Sequence, residues 1–385
     1  MPRILATVLL LAFALPCHAQ QKPNTLTPKE IADGWILLFD GETTFGWRHG
    51  LLNPNGRLEV SNGVLQTQFV FSLTTRAAFP EFELHADYQG QAVSGPKIAL
   101  GLRSARNSST YFQRDLGDVE AWTSVVLHVK PGMIDMRIPK AREYVSKLLD
   151  KNALPAHIFF YPPPRGMQLR NVKLHPLNMK PLFNGKDLTG WNIFPNKKSK
   201  FNVKDGAIHL KDGPGDLQTL SKYKDFILQL ECKSNGKHLN SGIFFRCRDN
   251  EYQNGYEAQI RNEFTAKPTQ KYLIEEYDPK THKLIGKKEQ FFTAVDWGTG
   301  AIYRRQPARK AMSKDGEWFT MTIVAHGNHF ATWVNGVQVT DWTDNRPKSD
   351  NARKGCCLNA GHISIQGHDP TTDLSFRNIR IAELK

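Results

Sequence analysis

The sequence predicts an all-β protein built as two jelly-roll sandwiches in tandem. Three observations carry that expectation. Short alternating runs are separated by Gly, Asn, Asp and Pro throughout, the period-2 pattern of half-buried strands. Tight-turn signals recur at Val60–Val64 (VSNGV), Val203–Ala207 (VKDGA) and Val334–Val337 (VNGV); Asn-Gly and Asp-Gly accept the positive φ angles of primed hairpin turns. The chain also repeats itself. FDGETTFGW (39–47) matches FNGKDLTGW (183–191), LEVSNGVLQ (58–66) matches FNVKDGAIHL (201–210), AHIFFY (156–161) matches GHISIQ (361–366), and LRNVKL (169–174) matches FRNIRI (376–381). Such self-similarity marks two copies of one unit.

In chain order, residues 1–19 read as a secretory signal. Arg3 supplies the positive start, Ile4–Leu15 the apolar run, and Ala19 the cleavage position, with the run too short to span a bilayer. Residues 20–35 form a leader and a short helix, with Thr27 as N-cap, Pro28 at the first helical position and Gly34 at the end. Residues 36–176 make the first sandwich, a degenerate copy, and 177–385 the second. The one long helix is expected at 140–151. No later stretch is apolar enough to be transmembrane, so the protein is expected to be exported, periplasmic or extracellular.

The net charge of +14 comes from 51 Lys+Arg against 37 Asp+Glu. The basic residues are scattered apart from Arg304, Arg305, Arg309 and Lys310, and no nucleic-acid module motif is present, so nucleic acid is not expected as a partner. Beyond the signal, Cys232, Cys247, Cys356 and Cys357 permit either buried thiols or a bridge between the strands of Cys232 and Cys247.

Between Arg103 and Trp122 the first copy uses 19 residues, whereas the second uses 72 between Arg246 and Trp318. Long additions to a β scaffold usually build function, and these hold Glu257, Gln259, Tyr303 and the arginine cluster. Alternation places Arg246, Glu257 and Gln259 on one polar surface if the runs 242–247 and 256–261 are neighbours. A second polar row, His362, Ser364, Gln366 and His368, alternates with Ile363 and Ile365. Tyr303 and Arg304 follow a Thr-Gly-Ala turn and are placed to cap the surface. Trp333 is either a platform for a ring or core packing. Asp369 and Asp373 are either cation ligands or a solvated loop.

The stretches LFNGKDLTGW (182–191), NSGIFFR (240–246), GYEAQI (255–260), TGAIYR (299–304), EWFTMTIVAHGNHFATWVNG (317–336) and GHISIQGHDPTTDLSFRNIRI (361–381) resemble the 3-keto-disaccharide hydrolase family. The resemblance covers nearly all of 181–385 in order, and only the opening and closing motifs of the first copy. It implies a concanavalin A-like (lectin/glucanase) fold and an oxidised sugar or glycoside as partner. It also implies cleavage of 3-keto-glycosides by C2 proton abstraction, elimination at C1 and water addition. The acidic E-x-D-x-x-E strand of the related laminarinases is absent, and Glu257-x-Gln259-x-Arg261 stands in that kind of strand, which argues against two-carboxylate hydrolysis. On this reading Glu257 is base or metal ligand, His368 acid, base or metal ligand, and Arg246 either the holder of the enolate oxygen or the group that orients Glu257. Gln259, Gln366, Tyr303, Arg304 and Trp333 contact the sugar. A divalent metal, with Asp369 as a ligand, is a further expectation. The alternative is a non-catalytic, lectin-like carbohydrate-binding protein, because the fold alone does not decide. The oligomeric state is left open.

Overall fold

A computed structural model describes residues 22–90, 97–117, 119–150, 153–163 and 165–384. The expected signal segment lies outside them. The chain is nearly all antiparallel β and forms two concanavalin-like sandwiches, each an eight-stranded sheet packed on a five-stranded one. In the first five-stranded sheet the order is Trp47–Leu51, Val70–Thr75, Ala156–Tyr161, Ile98–Ser104, Thr110–Gly117. In the second it is Trp191–Ile193, Gly215–Thr219, His362–Gly367, Ser241–Cys247, Tyr256–Ile260. The core lies between the sheets of each pair, where Leu65, Leu84, Ile158 and Phe160, or Leu217, Ile243, Phe245 and Ile365, are fully shielded. Trp47 and Trp191 are core residues whose indoles donate to the carbonyls of Leu38 and Leu182.

Helix Pro28–Asp33 begins at Thr27, whose side chain accepts from the Glu30 amide while the Glu30 carboxylate takes the Thr27 amide, a reciprocal cap. Gly34, at φ 96°, ends it. The helix expected at 140–151 is not formed. Residues Glu143–Leu148 are instead a strand, paired residue for residue with Met133–Ile138. A left-handed Arg142 (φ 53°) turns the chain back, and the waiting sheet edge offers Tyr144 and Val145 a ladder that outweighs helical propensity. The four cysteines among the described residues, Cys232, Cys247, Cys356 and Cys357, are free and buried, so no bridge joins Cys232 to Cys247.

A polar seam joins the two sandwiches. Gln229 Nε2 donates to the Gly34 carbonyl at 2.8 Å, the Leu37 amide to the Gly336 carbonyl at 2.7 Å, and Trp333 Nε1 to the Leu37 carbonyl at 2.9 Å. Arg309 and Lys310 close on Asp40 at 2.7 and 3.1 Å, and Lys310 also reaches Glu42. Trp333 is therefore no sugar platform: it is 1% exposed and packs on Phe79 across the seam. Half of the basic cluster seen in sequence belongs to this seam as well.

Candidate functional site

The second five-stranded sheet turns one face to the core and the other outward, and the outward face carries the site. Register defines two rows of side chains across it. In one, Gln218 is opposite Ser364, Ser364 opposite Phe244, and Phe244 opposite Glu257. In the other, Asp216 is opposite Gln366, and Gly242 opposite Gln259. Successive strands are about 4.8 Å apart, so these six polar side chains line a floor that runs about 14 Å across four strands. All six are buried, Asp216 and Ser364 at 0% and Glu257 at 7% exposure.

The middle of this floor is a depression. Gly242 has no side chain, and a Cβ there would lie 2.6 Å from Glu257 Oε1, so the Glu257 carboxyl leans over the gap. Loops form the walls. The Gln253 amide donates to Asp216 Oδ2 at 3.1 Å, and Gln253 is held by Arg353 Nε at its carbonyl. The Arg353 guanidinium lies 5.7 Å above the Phe244 ring. On the far side Tyr303 donates its amide to the Glu257 carbonyl, and the Arg304 guanidinium stacks on the Tyr303 ring. Gln259 Nε2 donates to the carbonyl of Asp296 at 3.0 Å and to its carboxylate at 3.2 Å. A cleft of about 560 Å³ opens beside Gln218, walled by Asn192, Phe194, Lys197, Asp249 and His362.

Two features set this face apart from an ordinary sheet surface. First, Asp216 Oδ1, Gln218 Nε2, Gln259 Oε1, Ser364 Oγ and Gln366 Oε1 have no hydrogen-bond partner among the described residues. A buried polar atom left unpaired costs about 1–3 kcal/mol, and five on one face are accounted for if a polyhydroxylated ligand supplies the partners. Second, burial pushes the Glu257 carboxyl up to about 8, against the pull of Arg353 and with Asp296 and Asp216 adding to the rise. Burial also lifts Asp216 to about 6, opposed by hydrogen bonds from Gln253. Ser364 and Gln218 stand near enough to steady the Asp216 charge without closing to hydrogen-bond geometry. Two acids with separated proton affinities, set into one polar pit, are the equipment of acid–base chemistry.

Of the residues expected from sequence, Glu257, Gln259 and Gln366 share the floor, with Tyr303 and Arg304 at its rim. Arg246 does not join them. Its backbone is left-handed (φ 53°) and the ladder shifts register between Phe244 and Cys247, so strict alternation fails there. Its guanidinium is buried and bonds the carbonyls of Lys224, Gly327 and Cys357 and the Asp225 carboxylate. His368 also stands apart. It follows Gly367, the last residue of the strand; its ring is 42% exposed and pairs with Asp369 at 2.9 Å.

Asp369 caps its own turn by accepting from Thr371, and Asp373 pairs with Lys211. Among the described residues no three His, Cys, Asp or Glu side chains are grouped to hold a metal ion. The residues at hand therefore do not fit the expected metal centre.

Asp216, Gln218, Asp296 and Arg353 do not stand out in the sequence. Asp216 and Gln218 leave a trace, an Asp-x-Gln alternation in a short strand (GDLQT), whereas Asp296 and Arg353 sit in irregular loops.

The strand bearing Glu257 is not an addition to the second sandwich. Thr110–Gly117 holds the same place in the first, and there Gln113 is opposite Gly101, Gly101 opposite Phe159, and Phe159 opposite Thr74. A glutamine thus replaces Glu257, and Phe159 fills the place of Ser364, with Arg103 at 5.3 Å over its ring. What the second sandwich adds comes later: the ribbon Gln270–Tyr277 with Leu284–Phe292 and the segment that carries Tyr303 and Arg304.

The 3-keto-alpha-glucoside-1,2-lyase-like domain model matches residues 178–382. Among solved structures, the chain is similar to two proteins from Parabacteroides distasonis proposed to be glycosyl hydrolases. One is 22% identical, with 54% of this chain and 94% of that one covered and a TM-score of 0.40. The other is 25% identical, with 54% and 100% covered and a TM-score of 0.38. It is also similar to the carbohydrate-binding module CBM66 of Bacillus subtilis, at 13% identity, 54% and 98% coverage and a TM-score of 0.32. A comparison with curated proteins finds no match.

Proposed function

The chain belongs to the 3-keto-alpha-glucoside-1,2-lyase-like family, and from that premise we propose that its second sandwich cleaves 3-keto-glycosides by elimination followed by hydration. The observation that carries this reading is the pair of buried carboxyls, Asp216 and Glu257, on either side of the Gly242 depression. A ketone at C3 acidifies the C2 proton. Asp216, largely ionised at neutral pH, takes it. The enolate charge gathers on the C3 oxygen, where the Arg353 and Arg304 guanidinium groups at the rim oppose it. The C1–O bond then breaks, and Glu257, which keeps its proton at neutral pH, gives it to the departing oxygen. Water adds hydroxide to C1 and a proton to C2, so the net change is hydrolysis. Gln218, Gln259, Ser364 and Gln366 hold sugar hydroxyls through the atoms that lack partners. This order reverses the role expected for Glu257, because a carboxyl that holds its proton to about pH 8 suits donation better than abstraction. In the first sandwich Gln113 and Phe159 stand in the Glu257 and Ser364 positions, which supports a non-catalytic role for that copy.

The test is cleavage of a 3-keto-glucoside in D₂O by the intact chain, followed by mass spectrometry and NMR of the released sugar. Elimination and hydration place deuterium at C2 beyond the enzyme-free exchange. Cleavage with C2 hydrogen retained, or binding without cleavage as in a lectin, overturns the proposal.

Gly242→Ala probes the depression itself. Gly242 is not in the left-handed region, so alanine fits the backbone, but its Cβ takes the place of the Glu257 carboxyl. Turnover is expected to fall about 10²-fold, the cost of displacing a catalytic group by about 1 Å. The melting temperature should stay within a few degrees of the parent.

A further inference from the structure

We propose that the outer face of the first eight-stranded sheet carries a second carbohydrate site, one that takes an extended, uncharged glycan chain. A cleft of about 510 Å³ lies there, in the other sandwich from Glu257. Register brings glutamines into line across it: Gln66 is opposite Gln168, and Gln168 opposite Gln89. Gln68 stands two residues along from Gln66, opposite Arg57.

Spacing and chemistry both point to a glycan. Three adjacent strands present one amide each, about 4.8 Å apart, close to the length of one pyranose residue in an extended chain. A primary amide offers donors and an acceptor together, the complement of a pair of neighbouring sugar hydroxyls. Among the described residues none of these four amides is hydrogen-bonded to another protein group. The amides also stand on rigid supports, because the alternate residues Leu65, Thr67 and Leu169 are buried in the core.

One side of the cleft is closely packed backbone. A Cβ on Gly90 would lie 2.9 Å from the Gly166 carbonyl oxygen, and one on Gly166, at φ 106°, only 1.8 Å from the Thr67 carbonyl oxygen. These glycines form a floor without side chains, and Arg165 stands at one end. Such a site would hold a long glycan on the first sandwich and owes nothing to the chemistry at Glu257.

Affinity electrophoresis of the full chain tests it, in gels containing β-1,3-glucan, β-1,4-glucan, xylan or starch, with alginate as an acidic counterpart. At least one neutral polysaccharide is expected to retard the protein. The Gln66→Ala/Gln168→Ala variant is expected to bind that polymer about tenfold more weakly, with unchanged melting and unchanged turnover of a small 3-keto-glucoside. Gln168→Glu, which keeps the shape and adds a charge, should weaken binding in the same way and so separates a lost contact from a lost fold. Absence of retardation by every neutral polymer, retardation by alginate alone, or equal retardation of parent and variants overturns the proposal.

Discussion

Replacing Glu257 by Gln is expected to lower turnover of a 3-keto-glucoside about 10³-fold with little change in substrate affinity, within the 10²–10⁴ that positioned acid–base groups contribute. The pH profile makes the assignment specific. In the parent, kcat/KM should climb through about pH 6 as Asp216 ionises and fall through about pH 8 as Glu257 loses its proton. The glutamine variant should lose the alkaline limb of what activity remains, and Asp216→Asn the acidic limb. Stability should move the other way. The folded protein holds the Glu257 proton to a higher pH than the unfolded chain does, so between the ordinary carboxylate range and about pH 8 folding stability declines as pH rises. An uncharged amide in that place carries no such penalty, and the Glu257→Gln protein should melt above the parent at pH 9. Undiminished turnover, or an alkaline limb that survives the substitution, refutes the role given to Glu257.

Arg246→Ala is expected to do the opposite: destabilise strongly and leave the chemistry alone. The side chain is fully buried and satisfies three carbonyls together with Asp225, which it meets at 2.9 Å. Removing one partner of a buried ion pair costs about 3–5 kcal/mol, or a melting temperature lower by on the order of 10 °C in a unit of this size. Below that temperature, turnover per folded molecule should stay within a few-fold of the parent. Arg246→Lys should recover only part of the loss, because one ammonium cannot reproduce a fork that serves several acceptors. A variant that folds as well as the parent but has lost turnover would return Arg246 to the active site.

Much of this is legible from the residues, for identifiable reasons. Alternation and the Asn-Gly turns encode strands through local geometry, and the run Tyr256–Ile260 carries Glu257 and Gln259 on the face that sequence reading gives them. Local rules fail where tertiary structure intervenes. The 140–151 segment has helical composition, yet a neighbouring edge captures Glu143–Leu148. One bulge at Arg246 turns its side chain off the face that strict alternation assigns. Asp216 escapes a local reading because the strand GDLQT is short and its partner, His362–Gly367, lies about 150 residues away. His368 continues a row of alternating residues on paper, but the strand ends at Gly367 and the row ends with it.

The segment that runs from Tyr303 to Lys310 is anchored at both ends by different bodies. Its first residues lie against Glu257, and its last are ion-paired to Asp40 in the first sandwich. One rim of the polar pit is thus built on a foundation that belongs to the neighbouring sandwich. That sandwich need not touch a ligand there to govern how the rim holds it. Mechanically it is the buttress of the wall, and loosening Asp40 would let the rim drift while every floor residue stayed in place.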